Sequence, residues 1–161
     1  MHSKKVQLIL LACFILFCQQ SFAQSNHVDT SISIHKGQLS YTEASKSTTN
    51  EITVDLISGT ILITSNSQNI KSDTAQYKFK PENFNITAEI IHLNTDFSQP
   101  NVKSLFSSIQ SKGCGITAGR ILDLAKRMIK EDHNSNNEPL VMYGRLLRNI
   151  ASRMFQDCMI N

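Results

Sequence analysis

Ile52-Thr53-Val54-Asp55-Leu56-Ile57-Ser58-Gly59-Thr60-Ile61-Leu62-Ile63 sets Ile52, Val54 and Leu56 at every second position before a Ser-Gly pair, and Ile61 and Ile63 at the same spacing after it. A period of two puts Ile52, Val54 and Leu56 on one face of a strand, and Ile61 and Ile63 on one face of the next. Ser58-Gly59 marks the turn, since glycine reaches left-handed conformations without steric cost. The stretch reads as a hairpin with one covered face and one wet face.

The same period extends outward. Upstream, Ile32 and Ile34 alternate with polar residues, and Leu39 and Tyr41 do so after a Lys36-Gly37 break. Residues 42–50 are Ser/Thr-rich and read as a polar connection. Downstream, residues 65–69 read as another turn. Ala75, Tyr77 and Phe79 then alternate up to Pro81-Glu82-Asn83, and Phe84, Ile86, Ala88 and Ile90 alternate beyond it. β-branched and aromatic side chains suit a pleated, half-buried surface, so four to six antiparallel strands are expected in a strand-rich region, 27–97.

Beyond residue 100 the period changes to that of a helix. Pro100 opens a short helix whose stripe is Val102, Leu105, Phe106 and Ile109. Ala118, Ile121, Leu122, Ala125, Met128 and Ile129 define a second helix over 116–131, stopped by the polar run Asp132-His133-Asn134-Ser135-Asn136-Asn137. A third begins near Glu138-Pro139, where the missing proline N–H costs nothing. Its stripe is Leu140, Tyr143, Leu147, Ile150, Ala151, Met154 and Cys158. Two helices of ~24 and ~28 Å, at ~1.5 Å per residue, joined by a short loop should lie antiparallel. With few aromatics the strands alone would bury a thin core. The simplest cover for the apolar sheet face is the helical region, 100–159, laid across it. The expected fold is α+β: an N-terminal antiparallel sheet followed by three helices, the last two an antiparallel hairpin packed on the sheet.

The start of the chain has a different grammar. His2, Lys4 and Lys5 precede an apolar run from Val6 to Cys18, and Ser21-Phe22-Ala23 places small residues at the spacing of a cut before Gln24. Residues 1–23 therefore read as a secretory signal peptide, and 24–161 as a single exported domain. The run is shorter than the ~20 apolar residues that a membrane-spanning helix requires, and no later segment approaches that length. The localisation expected is periplasmic or secreted.

The chain has 161 residues, 40% hydrophobic and 18% charged, a composition that suits one globular domain. Its 16 basic residues face 13 acidic ones. Losing Lys4 and Lys5 with the leader leaves 14 against 13, which lacks the basic excess of a nucleic-acid binder. The balance is uneven: 24–99 has five Lys against eight acids, and 100–161 has nine basic residues against five. Arg120, Arg127, Arg145 and Arg148 lie on the two long helices and form a candidate anion or partner surface.

Cys13 and Cys18 leave with the signal peptide, so Cys114 and Cys158 remain in an oxidising compartment. Cys114 stands at the start of one helix and Cys158 at the end of its antiparallel neighbour. A disulfide between them would staple the open end of the hairpin. The other reading of Cys114 is a reactive thiol at a helix N-terminus, but a nucleophilic Cys needs a His as base. Neither His92 nor His133 stands in such a signature.

Other chemistry is sparse. Gly113-Cys114-Gly115-Ile116-Thr117-Ala118-Gly119-Arg120 lacks the Lys-Ser/Thr of a phosphate-binding loop and the spacing of a dinucleotide fingerprint. The histidines have no metal-ligand spacing, Glu43, Glu51 and Asp55 form no carboxylate pair, and no Gly-x-Ser-x-Gly elbow occurs. No cofactor or metal is expected. Asn85-Ile86-Thr87 fits the glycosylation acceptor pattern, but inside the last expected strand.

In the last third, Cys and Gly lead a helix, Pro leads the next, and Cys closes it. That outline resembles small periplasmic immunity proteins, which neutralise secreted effectors. The single disulfide and the long strand-rich front depart from that family. The function expected is non-catalytic binding of another protein, inhibitor- or immunity-like. The alternative is a carrier of lipid or an apolar small molecule between the helices and Ile52, Val54, Tyr77, Phe79 and Ile86.

The staple has a direct test. In the native protein neither Cys114 nor Cys158 should react with an alkylating reagent until a reductant is added. A Cys158→Ser variant should lose roughly 4 kcal/mol of unfolding free energy, the chain-entropy value for a loop of this length.

Overall fold

The computed structural model describes residues 27–67, 70–106, 113–135 and 138–160. The leader 1–23 and Ile109 lie outside these residues. Six strands form one antiparallel sheet: β1 His27–His35, β2 Gln38–Ala44, β3 Thr48–Asp55, β4 Thr60–Ser67, β5 Ile70–Lys78 and β6 Asn94–Lys103. The first five run as a meander, and β6 returns to the free edge of β1, giving the order β5-β4-β3-β2-β1-β6. Between β5 and β6 lie a turn of 3-10 helix, Pro81–Asn83, and the short helix α1, Ala88–Ile91. Helices α2, Cys114–Ser135, and α3, Glu138–Ile160, complete the α+β chain.

Register explains why one face is covered. Phe97, Ile32, Tyr41, Ile52, Ile63 and Ala75 stand opposite one another across all six strands. A second row, Thr95, Ile34, Leu39, Val54, Ile61 and Tyr77, lies two residues away on the same face. The opposite face is built from rows such as Ser98, Ser31, Thr42, Glu51, Thr64 and Thr74. Slipping any one strand by a residue would exchange hydroxyls for the core, so the pattern fixes the pairing.

The covered face meets Ala118, Ile121, Leu124, Ala125 and Met128 of α2, and Leu140, Tyr143, Leu147, Ile150 and Ala151 of α3, in one continuous core. Gly144 lets the two helices approach closely: a Cβ there would stand 3.0 Å from the Ala125 carbonyl oxygen. Tyr143 is fully buried and donates its hydroxyl to the Gly37 carbonyl oxygen at 3.0 Å, tying α3 to the β1–β2 turn. Burial first, and then the Asp55 carboxylate, push its phenol well above the ordinary value, so Tyr143 remains a donor.

The structure corrects four local expectations. The polar connection over 42–50 shrinks to Ser45–Ser47, because β2 continues through Ala44 and β3 begins at Thr48. The alternation from Phe84 to Ile90 is not a strand; Thr87 caps α1, its hydroxyl accepting the Ile90 N–H at 3.4 Å. The residues read as a helix from Pro100 are instead the end of β6 as far as Lys103. Proline is tolerated there because β6 is an edge strand, where a missing N–H breaks no ladder on its free side. α2 also runs to Ser135, four residues into the stretch read as its stop.

The β3–β4 turn is held by Asp55, whose carboxylate accepts N–H groups from Ile57 at 2.8 Å and Ser58 at 3.0 Å. Burial acts to raise the Asp55 pKa, but the hydrogen bonds from Ser58 and Ile57 together outweigh it and set the value below the ordinary 3.8. A folded-state pKa below the unfolded one contributes stability above the unfolded value, and that contribution disappears as pH falls through the folded one. Asp55→Ala should therefore cost about 1 kcal/mol at neutral pH. In urea titrations at a series of pH values, the gap from wild type should narrow steadily below the ordinary carboxylate range.

Candidate functional site

Alternation along Leu39-Ser40-Tyr41-Thr42-Glu43 carries an acid into the covered face of β2. Glu43 is only 1% exposed. Its Oε1 accepts the Tyr41 hydroxyl at 2.7 Å and the backbone N–H of Leu105, and its Oε2 accepts the Ser104 hydroxyl. A buried carboxylate with donors on both oxygens is satisfied rather than reactive. Arg127 of α2 donates to the Tyr41 hydroxyl at 2.6 Å and to the Lys103 carbonyl oxygen at 2.5 Å. Burial, and then the hydrogen bond to Glu43, push the Tyr41 phenol far above its ordinary range, so it stays a neutral donor.

Arg120, two turns earlier on α2, places its guanidinium carbon 4.6 Å from the centre of the Phe106 ring. Burial lowers its pKa, while the Glu43 charge acts in the opposite direction. The group thus clamps the end of β6 and the three residues after it, Lys103 to Phe106, between β2 and α2. We describe it as a clasp: the Glu43 carboxylate, the Tyr41 hydroxyl and the Arg127 guanidinium are bonded within it.

Among the described residues, two of the surface clefts bear on function. One, of about 350 Å³, is bordered by His27, Ser45, Thr48, Asn50, Ser104 and Phe106. Its polar groups are largely engaged: His27 Nδ1 with the Asn101 carbonyl oxygen at 2.8 Å, Ser45 with Thr48 at 2.6 Å, Asn50 with Ser65 at 2.5 Å, and Ser104 with Glu43. The other, of about 390 Å³, lies between α3 and the segment from Asn83 to Ile90. Phe84, Ile90, Met142 and Leu146 give it an apolar floor, and Asn83, Asn85, Arg145 and Asn149 a polar rim. No rim side chain has a hydrogen bond or ion pair to another described residue.

The structure divides the four arginines named from sequence. Arg145 and Arg148 are exposed on α3, and Arg145 borders the second cleft. Arg120 and Arg127 turn toward the sheet and the clasp, because the helix face that carries them is the one lying on β2. Cys114 and Cys158 are at disulfide distance, their Cα atoms 5.8 Å apart, at the start of α2 and the end of α3. Asn85 is exposed, in the loop before α1 rather than in a strand.

Of the side chains proposed to line a carrier cavity, Ile52 and Val54 are fully buried in the core, and Tyr77, Phe79 and Ile86 pack at its margin. Among the described residues, no group of three or more His, Cys, Asp or Glu could hold a metal ion. No described helix is long and apolar enough to cross a membrane.

Sequence reasoning missed Glu43 and the loop side of the cleft. The signal for Glu43 was present: it is in phase with Leu39 and Tyr41, and an acid at a covered position demands donors. Asn83 and Phe84 reach the cleft only because the chain folds back through α1, which no local pattern announced.

Removing the carboxylate should strand three donors in a dry site. Glu43→Ala should cost about 3 kcal/mol, read as a lower urea midpoint, whereas Arg148→Ala on exposed α3 surface should change stability by less than about 0.5 kcal/mol.

No protein-family model, curated protein or solved structure matches this chain, and the roles of clasp and cleft therefore rest on their own geometry.

Proposed function

We propose that this protein is an exported, non-catalytic binding module that engages a partner protein through the cleft between α3 and the Asn83–Ile90 segment. The observation that carries this reading is the contrast in polar bookkeeping. In the clasp and the smaller cleft the polar atoms are largely paired within the chain. Around the α3 cleft, Arg145, Asn83, Asn85 and Asn149 surround an apolar floor with none of their hydrogen bonds committed to described residues. Partly apolar recesses with an arginine at the rim match the composition of protein-binding hot spots.

Export is supported by the leader-like start of the sequence and by a cysteine pair at disulfide distance, which suits an oxidising compartment. The clasp does not favour an enzyme: its carboxylate has every oxygen occupied, and a general acid or base must reach a substrate. A carrier is the weaker reading, since Ile52 and Val54 are committed to the core. An inhibitor- or immunity-like role is one form that the binding reading takes.

The tagged protein, recovered from its native exported fraction, should hold a stoichiometric protein partner. Arg145→Glu should weaken that complex at least tenfold, while Arg148→Glu, one turn away and outside the cleft, should retain it. Equal retention by both variants would remove the cleft from the interface.

A further inference from the structure

Resting on the cleft reading above, we infer that its occupant is an extended polypeptide segment that presents a carboxylate beside an apolar side chain. Each half of the cleft selects a different property. Phe84, Ile90, Met142 and Leu146 offer an apolar floor, and the unbranched Met142 thioether adapts to the shape of what enters. A purely polar ligand would leave that floor wet.

Arg145 supplies the single full charge among the lining residues. Its planar fork matches a carboxylate in a two-point hydrogen bond.

The three asparagines decide between ligand classes. Each amide offers one acceptor and two donor hydrogens. A peptide backbone presents N–H and C=O groups in alternation, and so can satisfy both ends of every amide. An inorganic anion presents acceptors alone and would leave the asparagine oxygens facing it. A lipid tail would desolvate Arg145 and all three amides without replacing their hydrogen bonds. A nucleic-acid backbone calls for several cations, and the cleft has one. At about 390 Å³ the recess takes a short segment with one or two side chains rather than a folded domain.

The test is an NMR titration of the labelled protein with two blocked peptides, Ala-Leu-Asp-Ala and its neutral analogue Ala-Leu-Asn-Ala. The acidic peptide should shift backbone amides at Asn85, Ile90, Arg145 and Asn149, and the neutral one should bind roughly fivefold or more weakly. In Arg145→Gln the two peptides should bind equally, at the strength of the neutral peptide to wild type. Arg145 is exposed, so this variant keeps the fold. Equal affinities in wild type, shifts confined to another surface, no shifts at millimolar peptide, or displacement of the peptide by inorganic phosphate at equal concentration would each overturn the inference. If the peptides fail while Arg145→Glu still releases the captured partner, only the ligand class is wrong. If capture is indifferent to Arg145→Glu, the cleft reading itself falls.

Discussion

The apolar face of the sheet can leave water only when the α2–α3 hairpin lies across it, and every other feature of the molecule follows from that contact. Ile32, Ile34, Leu39, Ile52, Val54 and Ile61 form a flat aliphatic surface that a twisted sheet alone cannot cover. The helices have the matching need, since isolated helices of this length are marginal in water without an apolar face to bury. Two hydrogen bonds then fix how the layers sit. Tyr143 reaches the Gly37 carbonyl and Arg127 reaches the Tyr41 hydroxyl, so each helix is tied to the β1–β2 hairpin at a different point.

What was legible in the sequence was periodic. Ile52, Val54 and Leu56 recur at every second position up to the Ser58-Gly59 turn, Ile61 and Ile63 resume that spacing beyond it, and α3 starts where Glu138-Pro139 placed it. The elements misread were those whose residues carry little pattern. β6 holds only Phe97 and Val102 as large apolar side chains, because an edge strand that packs partly against solvent has no need for more. Its pairing with β1 is set from seventy residues away, beyond the reach of local propensity. Phe84 to Ile90 shows the reverse fault, an alternating pattern in a segment too constrained by its Pro81 turn and Thr87 cap to extend. Of the site, Arg145 was visible as a helical charge, but the asparagines opposite it were not, since only the folded chain brings them near.

Clasp and cleft illustrate two uses of polar groups in one small protein. Glu43 pairs with donors from its own strand and from the chain after β6, and so specifies how that segment leaves the sheet. A hydrophobic residue there would pack, but it would not choose among nearby positions of the segment. Arg120 and Arg127 belong to the same economy, which is why charges that look alike in sequence differ in role from Arg145. The rim of the cleft has the opposite character, being exposed and uncommitted to other described residues.

The placement of β6 also orders the assembly of the chain in time. β1 through β5 can pair hairpin by hairpin as they emerge from synthesis, each contact local and fast. His27 must nevertheless wait for Lys103, and Glu43 for Ser104 and Leu105, before the oldest strand is closed on its outer side. A nascent meander therefore carries two bare strand edges and a solvated acid on its sticky face. Such a species invites pairing with its own copies.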